Sequence, residues 1–117
     1  MYLFVCYEKC STCRKAETWL REHSIVYTKR LIDKENPTVE ELKEWIPKSG
    51  REPRQFFNTS GKLYRELDVK NRLKTMSEEE IYELLASDGM LVKRPVLVGD
   101  DLVLSGFREE EWAEKLI

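Results

Sequence analysis

Nowhere in the 117-residue sequence does an apolar run approach the roughly 20 residues that a bilayer-spanning helix requires. The first apolar segment is short and no basic segment precedes it, so a signal peptide is not expected. An excess of one charge is lacking too. Twenty Lys and Arg against 22 Asp and Glu leave a formal net charge of -2, which gives no support to nonspecific nucleic-acid binding through clustered cations. Cysteines number three, an odd count without the spacing of a secreted disulfide framework. No repeat, low-complexity tract or linker divides the chain, and its length suits one domain over residues 1–117. These absences point to a soluble protein of a reducing cytoplasm, where a close cysteine pair is expected to be reactive rather than structural.

Such a pair is present. In Cys10-Ser11-Thr12-Cys13-Arg14-Lys15-Ala16 the two thiols are three residues apart. The apolar run Tyr2–Cys6 before them has strand composition, and Ala16, Trp19, Leu20 and His23 after them recur at helical spacing. The pair therefore falls where a strand ends and a helix over 11–23 begins. A first helical turn leaves backbone N–H groups unpaired, and the aligned peptide dipoles put partial positive charge there. A thiolate at Cys10 would be stabilised by both, and Cys13 is one turn away, placed to attack a mixed disulfide formed at Cys10.

Ile25–Thr28 predicts a second strand, which completes a βαβ unit whose strands should be parallel. Thr38 with Glu41, and Ser77 with Glu80, are capping-box patterns ahead of amphipathic segments, the first ended by Pro47 and Gly50. Phe56 and Phe57 predict a buried turn, and Leu63, Tyr64 and Leu67 the inner face of a short helix. Residues 38–88 thus read as a helical insertion, with Gly89 closing it. Pro95–Val98, a turn at Gly99-Asp100-Asp101, and Leu102–Leu104 predict a hairpin, and a last helix starts near Arg108 with Trp112 and Leu116 inward. The order β-α-β … β-β-α predicts an α/β thioredoxin-like fold with a mixed four-stranded sheet and an inserted helical segment.

Several residues carry two readings. A C-x-x-C is also half of a four-cysteine zinc site, but the other half is absent. Cys6 ends an apolar strand, so core packing is expected, with a third thiol near the active turn as the alternative. Pro95 directly precedes the third strand, a place that in thioredoxin-like domains holds a cis-proline facing the redox pair, and the same is expected here. Arg94 before it should point its charge toward the Cys10 sulfur or an oxyanion held there, the alternative being a solvated surface arginine. Lys9, Arg14 and Lys15 surround Cys10; they favour a thiolate yet oppose the helix dipole, a conflict commoner at working sites than in scaffold. Trp19, Trp45 and Trp112 sit at core spacing.

Three motifs in order, Cys10–Ala16, Leu91-Val92-Lys93-Arg94-Pro95-Val96-Leu97-Val98 and Gly106-Phe107-Arg108-Glu109-Glu110-Glu111-Trp112, resemble the arsenate reductase/Spx family over essentially the whole chain. The resemblance implies the same thioredoxin-like fold with a helical insertion. In the family's glutaredoxin-dependent arsenate reductases a cysteine matched by Cys10 is the nucleophile and three arginines hold the oxyanion. Arg94 matches one of them, and the other two positions fall near Asn58 and Gly106. Spx-type regulators use the C-x-x-C as a disulfide switch. They contact the C-terminal domain of the RNA polymerase alpha subunit, through a glycine whose place here is taken by Glu52. A third group in the family has no settled activity, with glutathione- or thiol-linked reduction as its candidate role, and this sequence fits there best.

The expectation is a thiol oxidoreductase in which Cys10 attacks and Cys13 resolves. The N–H groups of residues 12 and 13 and the Arg94 side chain would stabilise the sulfur, and Ser11, Thr12, Arg14 and Pro95 would line the substrate side. No bound cofactor or metal is expected. Glutathione, glutaredoxin or thioredoxin would supply electrons, and the substrate would be a small thiol or oxyanion, arsenate included, or a redox protein. The alternative is a redox-sensing regulator that binds the RNA polymerase alpha subunit.

Overall fold

The structure, a computed structural model, describes residues 1–117. Four strands, β1 (Tyr2–Cys6), β2 (Tyr27–Leu31), β3 (Val96–Val98) and β4 (Val103–Ser105), form one sheet in the order β2-β1-β3-β4. β1 and β2 are parallel, with Cys6 opposite Leu31; β3 runs antiparallel to both β1 and β4, placing Leu97 opposite Phe4 and Leu104. This is the mixed sheet expected from the order of elements.

Side chains alternate across a strand, and β1 shows what that does here. Phe4 and Cys6 point to one face, where they pack with Cys13, Ala16, Trp19 and Leu20 of α1 (Ser11–Glu22) and Trp112 of α6 (Glu109–Leu116). Val5 points to the other, into a cluster built by the insertion: Leu42, Trp45 and Ile46 of α2 (Val39–Ser49), Phe56 and Phe57, and Ile81 and Leu85 of α5 (Glu78–Ser87). The sheet thus separates two apolar layers. All three tryptophans are buried, as their spacing implied.

The insertion is helical and is punctuated as the sequence predicts. Thr38 and Glu41 close a capping box at the start of α2, and Ser77 and Glu80 do so for α5. Pro47 does not end α2; it lies in the last turn, and the helix runs to Ser49 before Gly50 takes the left-handed conformation at φ 73. Two short helices, α3 (Lys62–Glu66) and α4 (Val69–Arg72), fill the middle, the second without a clear signal in the sequence. Leu63 and Tyr64 lean on the core, whereas Leu67 is exposed. The insertion ends one 3-10 turn later than predicted, at Gly89–Leu91. Gly89 is required by contact: a Cβ there would be driven into the Ile32 carbonyl oxygen.

β2 begins two residues later than the apolar pattern suggests and extends through Lys29 and Arg30. Ser24 adopts positive φ, and the Ile25 amide donates back to Leu20 O at 3.0 Å, so Ile25 is used to close α1 rather than to open a strand. Charged residues continue β2 because it is an edge strand and each finds a partner: Lys29 pairs with Glu17 at 3.2 Å and Arg30 with Glu41 at 2.7 Å.

A thiol site where β1 meets α1

Residues 7–9 carry the chain from β1 to α1. The Cys10 amide donates to Tyr7 O at 3.1 Å, and the Arg14 amide donates to Cys10 O at 3.1 Å to begin the helical ladder. Cys10 is therefore the N-cap residue, with extended φ/ψ of -92 and 116, and it caps with sulfur. The Cys13 amide donates to Cys10 Sγ at 3.3 Å. Of the two amides expected at that sulfur, only that of Cys13 reaches it; one acceptor in the N-cap position meets the N3 amide.

The three thiols are free and differ in access. Cys10 is half-buried, while Cys13 is 3% and Cys6 2% exposed. Burial pushes the Cys13 thiol up to about 12, and the Cys10 hydrogen bond adds to this against a lowering contribution from the Tyr7 backbone. Burial likewise pushes Cys6 up to about 11, opposed by the Lys29 charge. Cys10 is the sulfur that meets both solvent and an amide donor. Cys6 packs in the core beside Cys13, as its strand position implied.

The other predicted residues divide. Ser11 and Thr12 are exposed on the first turn. Arg14 is exposed and its Nε donates to Glu8 O at 3.1 Å, tying helix to loop. Pro95 is buried, and the Arg94–Pro95 peptide is cis as expected. The Pro95 carbonyl accepts the Gly106 amide at 2.8 Å. Arg94 does not hydrogen-bond to the Cys10 sulfur. Its guanidinium lies 5.1 Å from the Tyr7 ring centroid, and Nη1 donates at 3.4 Å to Met90 O and to Val92 O. The arginine is thus half-buried and off the sulfur; it is held by its own segment and by the residue that opens the Cys10 loop. Its Nε is buried without a partner. Beyond it, the Lys93 side chain passes over Gly106, where a Cβ would meet Cε at 3.0 Å.

Behind the pair is a small cleft of about 230 Å³, lined by Cys6, Cys13, Tyr7, Arg14, Glu17 and Lys29. Glu17 accepts from the Tyr27 hydroxyl at 2.7 Å and from Lys29 Nζ at 3.2 Å. Burial alone would raise this carboxyl, but those two donors outweigh it and hold it below the usual range. Sequence reasoning does not single out Glu17. Its place four residues after Cys13, on the same helix face, is the available signal. No three His, Cys, Asp or Glu side chains are grouped to hold a metal ion, and no helix is long and apolar enough to cross a membrane.

Known proteins carry the same frame. An ArsC-family-related protein of Bacteroides fragilis superposes with a TM-score of 0.94 at 56% identity, covering 97% of this chain and 95% of its own. The uncharacterized protein YusI of Bacillus subtilis is 50% identical over 111 residues, 95% of this chain and 94% of that protein. The global transcriptional regulator Spx of Staphylococcus epidermidis is 30% identical over 102 residues, 87% of this chain and 76% of the regulator. The ArsC family model matches residues 6–115, from the end of β1 to the last turn of α6. With a thioredoxin-like frame and a family match over nearly its full length, the chain belongs to the ArsC family.

Proposed function

We propose that the protein is a thiol-disulfide oxidoreductase in which Cys10 is the nucleophile and Cys13 the resolving thiol. The observation that carries this reading is the asymmetry of the pair. Cys10 Sγ is half-exposed and capped by an amide at 3.3 Å, and its neighbour one turn on is buried and held protonated. Cys10 as thiolate attacks one sulfur of a substrate disulfide, forming a mixed disulfide while the other substrate sulfur leaves as thiolate and takes a proton. Cys13 then gives up its proton to solvent and attacks the Cys10 sulfur. The second substrate thiol departs, and the Cys10–Cys13 disulfide has taken the two oxidising equivalents. Two thiols from glutathione, or a glutaredoxin or thioredoxin, restore the dithiol. The Cys13 amide that caps Cys10 also steadies it as leaving group in that return step.

The test is turnover of a small disulfide such as hydroxyethyl disulfide with glutathione as donor. The wild type should turn over, and Cys10→Ser should fall to the uncatalysed rate. Equal turnover in both proteins would contradict the assignment.

A second reading is a redox-switched binding protein that docks on the RNA polymerase alpha subunit without turnover. The 30% identity to a transcriptional regulator over 87% of this chain favours it. Binding of the purified C-terminal domain of that subunit by the oxidised but not the reduced protein, with no turnover, would select that reading over the first.

A further inference from the structure

The two-thiol cycle leaves Cys6 unused, and the fold does not seal this residue away. Cys6 and Cys13 line the same cleft of about 230 Å³ with Arg14, Glu17 and Lys29, so two buried sulfurs share one charged opening. Cys10 is not among the lining residues. The placement follows from the chain's path. Cys6 ends β1 on the face turned toward α1, and Cys13, in the first turn of that helix, faces back into the same apolar layer. The Tyr7 backbone, next to Cys6 in the chain, stands close enough to the Cys13 sulfur to ease its ionisation. Lys29 of β2 does the same for Cys6, its charge working against burial, and Glu17 holds Lys29 in place at 3.2 Å. A cysteine kept for packing alone needs neither a cation nor a second thiol beside it.

Disulfide chemistry gives the arrangement a direction. In an exchange, a thiolate attacks one sulfur of a disulfide, and the sulfur that carries charge more readily is the better leaving group. In a Cys10–Cys13 disulfide that leaving group is Cys10, the sulfur that meets solvent. Cys13 is the sulfur that faces the cleft and Cys6, on the side away from Cys10. Burial keeps Cys6 and Cys13 as neutral thiols, and a disulfide between them is neutral as well. Joining them therefore leaves no charge in the core, where an ion would be costly.

We propose that Cys6 is a third redox thiol, which takes Cys13 over from the oxidised pair and returns Cys10 to the reduced state. The inference rests on the reading of Cys10 and Cys13 as a redox pair. Cys6 gives up its proton to solvent in the cleft, and its thiolate attacks Cys13 Sγ. The Cys10–Cys13 bond breaks as the Cys6–Cys13 bond forms, and Cys10 leaves as thiolate. No electrons enter or leave. The two oxidising equivalents taken from substrate move into the core, and the nucleophile is free while the chain is still oxidised. In that state Cys10 attacks a further substrate disulfide, and an external thiol such as glutathione, rather than Cys13, resolves the mixed disulfide.

The test uses the full chain, oxidised with stoichiometric diamide, alkylated with iodoacetamide and digested with trypsin at mildly acidic pH. Diamide takes two electrons from neighbouring thiols, so the outcome does not depend on substrate turnover. Cleavage after Lys9 and Arg14 puts Cys6 on one peptide and the C-x-x-C pair on another. The expected product is peptide 1–9 joined to peptide 10–14 through Cys6 and Cys13, with the alkyl group on Cys10. A disulfide confined to peptide 10–14, or no disulfide at all, would overturn the proposal. Oxidised Cys6→Ala should take up roughly fivefold less iodoacetamide at Cys10 than oxidised wild type, because its only possible disulfide uses Cys10. Equal uptake would also overturn it, and the wild-type peptide map decides even if the variant does not fold. Failure of the oxidoreductase reading looks different: hydroxyethyl disulfide is not turned over, while diamide still reports which sulfurs pair.

Discussion

The backbone amide of Cys13 donates a hydrogen bond to the sulfur of Cys10, so the residue proposed to resolve also caps the proposed nucleophile. One peptide unit sets both the environment of the first thiol and its distance from the second. The same geometry buries Cys13, because N3 of α1 faces the layer formed by Phe4, Ala16 and Trp112.

The three cysteines should alkylate in a fixed order. At pH 8 iodoacetamide should modify Cys10 first, since Cys13 and Cys6 are buried and their thiols are pushed up to about 12 and about 11. Peptide mapping by mass spectrometry reads the order. Equal labelling of Cys10 and Cys13 at early times would show that the asymmetry is absent in solution.

Arg94 should matter to the loop before it matters to any sulfur. Its contact with the Tyr7 ring is partly desolvated, and removing it in Arg94→Ala should cost about 1 kcal/mol, measurable by urea unfolding. Tyr7→Leu should cost a similar amount, and the double variant less than the sum of the two singles. Strict additivity would mean that the two residues do not interact.

Gly89 is fixed by packing between the insertion and the end of β2. Gly89→Ala would drive a Cβ against the Ile32 carbonyl, backbone against backbone, and should destabilise the protein by about 1–3 kcal/mol. A variant as stable as the wild type would mean that the insertion sits farther from the sheet.

The Arg30–Glu41 pair should make stability depend on acid pH. Hydrogen bonding from Arg30 holds the Glu41 carboxyl below the usual range, against the opposing effect of burial. A depressed folded-state value means the contribution is present above the ordinary carboxylate range and is lost as pH falls through the folded-state value. Wild type should therefore be more stable than Glu41→Gln at neutral pH, and the gap should narrow as pH falls below the ordinary carboxylate range. A gap independent of pH would rule out ionisation of Glu41 as its source.

What is legible in the sequence is what is local. The C-x-x-C at a strand-to-helix junction, the capping boxes at Thr38 and Ser77, and the buried face of α1 follow from spacings within a few residues, and so does the order of the elements. The start of β2 is masked because Ile25 has strand composition but is consumed in closing α1. The strand's far half is hidden because Lys29 and Arg30 lack strand composition, and Glu17 and Glu41, which pair with them, are distant in sequence. The direction of Arg94 depends on how residues 90–94 pass beside Tyr7, and the cleft behind the pair on how β2 brings Lys29 beside Cys6. Neither is encoded by any periodicity.

The central claim is that Cys10 attacks and Cys13 resolves, and the most direct measurement is the intact mass of the two single serine variants after exposure to a small disulfide. Cys13→Ser should accumulate one substrate half as a mixed disulfide mapped to Cys10, and Cys10→Ser should acquire no adduct. An adduct on Cys13 in the Cys10→Ser protein, formed as fast as the one on Cys10, would contradict the account.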